Sequence, residues 1–175
     1  MATTAFAMTP AEHKAAKDSI SADYKMNKQK CDALKANAKD ICVKEAKGAE
    51  DVAKAELEAQ YKPSAKASQK VAEARADAAY AVAKEKCDDL TGNAKDVCVK
   101  DAKAEHVKAK ENAKVAAAQA KPADTAAEKA ANVAEARKDA TAEKNEANYK
   151  AAKERCDAMS GDLKSKCVDD AKRMY

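Results

Sequence analysis

The sequence predicts an all-α protein: three tandem disulfide-stapled αα-hairpins, about six helices in all, forming an elongated bundle or rod. Three observations carry that expectation. A cysteine pair recurs at one spacing, Cys31/Cys42, Cys87/Cys98 and Cys156/Cys167, and accounts for all 6 cysteines. Ala, Glu, Lys, Leu and Arg, which are among the best helix formers, supply 99 of the 175 residues. The 3 prolines stand where helices would begin or end.

Each cysteine pair sits in a longer repeat. Tyr24 to Lys47, Tyr80 to Lys103 and Tyr149 to Lys172 share a tyrosine, a cysteine seven residues on followed by Asp, then Leu or Met, and a second cysteine followed by Val and Ala-Lys. The chain is an internal triplicate, so one repeat is the unit to explain. On one continuous helix, cysteines eleven apart would lie about 16 Å apart along the axis, too far for a disulfide. The intervening residues carry helix punctuation. In the second repeat Gly92 suits a left-handed residue that ends one helix and Asn93 suits the N-cap of the next; Gly161 and Asp162 take those places in the third, and Ala36 and Asn37 in the first. With a bend there, each disulfide staples two helices where they meet.

Taken in order, Thr9-Pro10-Ala11-Glu12 makes a capping box with proline at the first helical position and opens a helix over 9–35. A second helix spans 37–61. Lys62-Pro63-Ser64 interrupts it, and helices over 64–91 and 93–120 follow. Lys121-Pro122 is the next break, with a second capping box from Thr125 to Glu128 opening a helix over 125–160 before a last one over 162–174. Repeat lengths agree with this reading. Cys42 to Pro63 is 21 residues against 24 from Cys98 to Pro122, and Pro63 to Val71 is 8 against 11 from Pro122 to Val133. Val71 to Tyr80 is 9 against 16 from Val133 to Tyr149. The differences of 3, 3 and 7 are close to whole helical turns, which lengthen a helix without much rotating its buried face. The same periodicity puts Tyr24, Cys31 and Leu34 on one stripe, with Tyr80, Cys87, Leu90 and Tyr149, Cys156, Met159 repeating it as a buried seam.

The composition gives the staples a purpose. The chain has 47 alanines and only 17 Leu, Ile, Val and Phe together, so its interior is mostly methyl groups and its hydrophobic stabilisation is thin for its length. A net charge of +4 against 37% charged residues is nevertheless far from the highly charged disordered class. Each staple closes a loop of about a dozen residues and adds roughly 2–3 kcal/mol. Ala2-Thr-Thr-Ala-Phe-Ala7 ends in a small-x-small pattern like the tail of a secretory signal peptide, with cleavage expected after Ala7. The organisation expected is therefore a signal-peptide remnant at 1–7 and hairpin repeats at 8–62, 63–121 and 122–175. Paired cysteines and that leader point to a periplasmic or secreted protein in an oxidising space.

Enzyme signatures are missing: there is no Gly-x-Gly-x-x-Gly, Gly-x-Ser-x-Gly, phosphate loop or His-Glu-x-x-His. The expectation is no catalytic residue, no cofactor and no metal, since each hairpin offers two sulfurs and no Cys-x2-Cys occurs. His13 and His106 are the only histidines and read as solvated. Two alternatives keep chemistry in play. One is a module binding a metal or small ligand, with His106 as a candidate contact. The other is a thiol-disulfide redox protein, in which Cys42, Cys98 and Cys167 near helix N-termini would be the nucleophiles. No apolar stretch is long enough to span a membrane. Lysines interleave with acids, as in Lys103-Ala-Glu105, and aromatics are few, which argues against nucleic acid as a partner.

The segment Lys86-Cys-Asp-Asp-Leu-Thr-Gly-Asn-Ala-Lys-Asp-Val-Cys-Val-Lys100, with Ile20 to Tyr24, Lys54 to Tyr61 and Tyr80 to Cys87, resembles a group of uncharacterised exported Ala/Lys-rich paired-cysteine repeat proteins of β-proteobacteria, often labelled hypothetical or TolA-like. The resemblance implies a periplasmic or exported location and brings no activity or functional residues. The function expected is a structural, stress-protective or interaction role in the bacterial cell envelope. Candidate partners are further copies of the chain, forming an oligomer or filament, an envelope protein, or an anionic polymer meeting lysine-rich faces.

Overall fold

The computed structural model describes residues 8–175, so the leader expected at 1–7 lies outside the described residues. Six α-helices follow in order: α1 Pro10–Cys31, α2 Ala36–Tyr61, α3 Ala65–Lys86, α4 Gly92–Ala120, α5 Ala126–Cys156 and α6 Gly161–Met174. A 3₁₀ turn, Cys87–Asp89, follows α3. Helix starts form where side chains supply acceptors to the free N–H groups of the first turn. Thr9 Oγ1 accepts from the Glu12 N–H (3.2 Å) and the Glu12 carboxylate returns the bond to the Thr9 N–H (2.8 Å). Ser64 caps α3 through the Ala67 N–H (3.0 Å). Thr125 caps α5 through the Glu128 N–H (3.1 Å) without the return bond that the expected second capping box requires.

The three disulfides join α1 to α2, α3 to α4 and α5 to α6, with Cα separations of 5.6, 5.7 and 5.7 Å. The first helix of each hairpin stops at or next to its cysteine, four or five residues short of the ends expected at 35, 91 and 160. Past the cysteine the backbone tightens instead of continuing: the N–H groups of Leu34, Leu90 and Met159 each donate to the carbonyl of Cys31, Cys87 and Cys156 at 3.0 Å. Those three side chains are consequently turned out of the seam and are 42%, 40% and 45% exposed, contrary to the buried stripe expected. Left-handed backbone occurs where expected, at Gly92 (φ 56°) and Gly161 (φ 58°), and also at Ala36 (φ 49°). It opens the second helix rather than ending the first.

Each helix packs on its neighbours in sequence, α1 on α2 through to α5 on α6, and no other pair packs along its length among the described residues. The Lys62-Pro63 and Lys121-Pro122 junctions thus fold the hairpins back on one another. The product is an up-and-down row of six helices, each packed on its neighbours in sequence. The interior is slight: among the described residues the buried apolar ones are seven alanines, three half-cystines and Leu57. Small side chains let the helices approach closely. A Cβ added to Gly48 of α2 would lie 2.7 Å from the Ala78 Cβ of α3.

Candidate functional site at the stapled end of the row

Because the chain reverses at every connection, the three stapled turns lie together at one end of the row and the two Lys-Pro turns at the other. Three elements recur at each stapled turn. The first is the disulfide itself, whose Cys31, Cys87 and Cys156 are fully buried while Cys42, Cys98 and Cys167 are half-buried. No free cysteine exists. The second is an ion pair across the bend between the aspartate after the first cysteine and the lysine three before the second. Lys39 meets Asp32 at 2.9 Å, Lys95 meets Asp88 at 2.9 Å and Lys164 meets Asp157 at 2.8 Å. The hydrogen bonds from Lys39 and Lys164 hold the Asp32 and Asp157 carboxyls below the usual aspartate range. The third element is the outward Leu34, Leu90 or Met159.

Asparagines tie adjacent turns together. Asn37 at the start of α2 donates its side-chain amide to the Glu85 carbonyl near the end of α3 (3.0 Å), and Asn93 at the start of α4 donates to the Glu154 carbonyl of α5 (3.1 Å). These residues do not cap their own helices, as the spacing suggested; Lys35, Thr91 and Ser160 take the N-cap position without a side-chain bond. Last-turn carbonyls lack the usual partner four residues on; the Cys87 and Asp157 N–H groups close these helix ends, and the amide of the previous hairpin adds a second donor to the Glu85 and Glu154 carbonyls. The signal was in the sequence, since Asn-Ala-Lys-Asp recurs in the first two repeats.

Away from the turns, polar groups meet inside the first two hairpins. Both histidines are largely buried rather than solvated, because each stacks on a tyrosine of the opposite arm of its hairpin. His13 lies 4.3 Å from the Tyr61 ring centroid and His106 lies 4.7 Å from that of Tyr80. Each Nε2 meets a carboxylate, Glu58 at 3.0 Å and Asp77 at 2.5 Å. Burial raises the Asp77 carboxyl, and the His106 hydrogen bond with the Lys110 charge outweighs it, leaving that group below its usual range. Nδ1 of His106 is buried without a hydrogen-bond partner. Glu50, 7% exposed, lies between Lys47 (2.9 Å) and Lys54 (2.6 Å). The bond from Lys54, foremost, lowers its pKa despite burial. Among the described residues no three His, Cys, Asp or Glu side chains cluster as metal ligands, and no helix is long and apolar enough to cross a membrane. Compared with protein-family models, curated proteins and solved structures, the chain matches none.

Proposed function

We propose that this chain is a non-enzymatic, exported helical-repeat protein of the bacterial periplasm or cell envelope, with a structural, stress-protective or interaction role as a stiff spacer. The observation that carries this reading is the placement of a disulfide beside the turn of every hairpin in a row whose interior is alanine. Such a molecule depends on oxidation for its order, and an oxidising compartment supplies it. Its helix faces carry lysines and acids in local pairs such as Lys14 with Asp18 and Lys150 with Glu146, so an envelope protein with a mixed-charge surface fits better than an anionic polymer. The resemblance to exported β-proteobacterial repeat proteins agrees. Fractionation of the source cell with thiols trapped at lysis tests it. The reading predicts the chain in the envelope or culture fraction with 31–42, 87–98 and 156–167 bridged; a cytoplasmic chain with free thiols would refute it.

One observation favours a second reading, as a small-ligand module. The unpaired His106 Nδ1 lies beside a groove lined also by Tyr80 and the Cys87–Cys98 disulfide. In that case protein purified from the source cell would release a stoichiometric small molecule on denaturation, and His106→Phe would abolish its retention.

A further inference from the structure

The seams between hairpins follow a pattern that α6 breaks. The second helix of a hairpin meets the next hairpin through a stripe spaced i, i+4, i+7, i+11, which is one helical face. On α2 that stripe is Asn37, Ile41, Lys44 and Gly48; on α4 it is Asn93, Val97, Lys100 and Ala104. Contacts place the stripe in the seam. Asn37 and Asn93 hold the carbonyls of Glu85 and Glu154, Lys44 faces Glu85 at 3.8 Å, and Gly48 abuts Ala78. The Asp101 carboxylate, next to Lys100, accepts from Arg155 of α5.

At the same four positions α6 carries Asp162, Lys166, Asp169 and Arg173, all exposed. Every change opposes a seam. An aspartate cannot donate to a carbonyl, where Asn37 and Asn93 do. A lysine replaces the β-branched residue, an acid replaces the lysine, and an arginine stands where only a hydrogen or a methyl fits. Two of these charges are paired within α6, Arg173 on Asp170 and Asp169 with Lys172. At the other end of the row, α1 keeps part of the receiving half of the seam, with Gln29 where Glu85 and Glu154 stand. Ala22 stands where Ala78 and Ala147 stand relative to the first cysteine, and Met26, at the place of Val82 and Ala151, is 52% exposed.

We propose that α6 is a stack-terminating cap: its charged outer face stops a second copy from adding through its α1, although α1 retains part of the acceptor surface for such an addition. Repeat arrays need polar terminal faces for the same reason. This inference goes beyond the proposed envelope role and sets the mode of self-association, which the repeat architecture alone would leave open-ended.

The test is sedimentation velocity across a range of concentration on the oxidised full chain and on D162N/K166V/D169K/R173A, which restores the internal pattern. Retained helicity and three intact disulfides serve as the folding check, and D162N/R173A is the milder second variant. The cap predicts a wild-type chain at the mass of one copy at all concentrations. It predicts restored variants whose average mass climbs with concentration, and whose association is lost on adding Ala22→Lys to α1. Wild-type oligomers dissolved by Ala22→Lys would overturn the proposal. So would both restored variants, folded and oxidised, staying at one copy throughout.

Discussion

Ala36 is the residue at which the three repeats differ most tellingly. It adopts φ 49° where the other hairpins place glycine at 56° and 58°, and an L-residue in that conformation costs about 1–2 kcal/mol. Nothing lies within 4 Å of the Cβ position at Gly92 or Gly161, so glycine serves there for its backbone alone. Ala36→Gly is therefore expected to stabilise the chain by about 1 kcal/mol and Gly92→Ala to destabilise it by a similar amount, both read from denaturant midpoints. Acid should act through a few carboxylates. Asp32, Asp157 and Glu50 all have lowered pKa values in the fold. Each contributes stability that is present above its ordinary value, 3.8 for the aspartates and 4.5 for the glutamate, and that fades as pH falls through the lower folded value. Stability measured from pH 6 downward should hold until about those values and then fall. Glu50→Gln should lower the neutral plateau by about 1–2 kcal/mol and soften the acid limb; an unchanged acid limb would contradict this account of Glu50.

Helix lengths and ends follow from different physics, and they were legible to different degrees. The six helices, their breaks at Pro63 and Pro122 and their starts at Thr9 and Ser64 or Thr125 could be read directly, because proline and capping residues act locally. The pairing of the cysteines was readable from a spacing that only a bend can reconcile with a bond. The early ends of α1, α3 and α5 were not, since residues such as Lys35 and Leu90 have good helix propensity and are excluded by the closure of the staple. Equally hidden were the cross-hairpin bonds of Asn37 and Asn93, because an asparagine at a helix start reads first as its own cap. Burial of His106 depends on Tyr80 of a neighbouring helix, which no local pattern reveals. At this scale Gly48 lets α2 approach Ala78 of α3, and Gly48→Leu should cost about 1–3 kcal/mol and separate those two helices. Asn93→Ala should cost about 1 kcal/mol by removing the bond across the two hairpins, although the Glu154 carbonyl keeps the Asp157 N–H (3.1 Å), with hydrogen exchange faster at the end of α5 than at the end of α3.

As a whole the molecule is a row of helices packed neighbour on neighbour around a slight, alanine-lined interior. Among the described residues, seven alanines, Leu57 and three half-cystines are its buried apolar ones, so hairpin closure must come largely from covalent constraint. The ion pairs at the turns are exposed and worth little singly. Each staple constrains the unfolded chain by about 2–3 kcal/mol, which is comparable to much of the net stability of a small domain. The seams then add hairpins in order, and the charged face of α6 ends the row. The most direct measurement is equilibrium denaturation, followed by circular dichroism, of the same chain with its three disulfides intact and fully reduced. If the staples hold the fold, reduction moves the midpoint far down or leaves the helices unable to form a cooperative fold. An unchanged midpoint with all six thiols free would contradict this and assign the stability to the alanine seams.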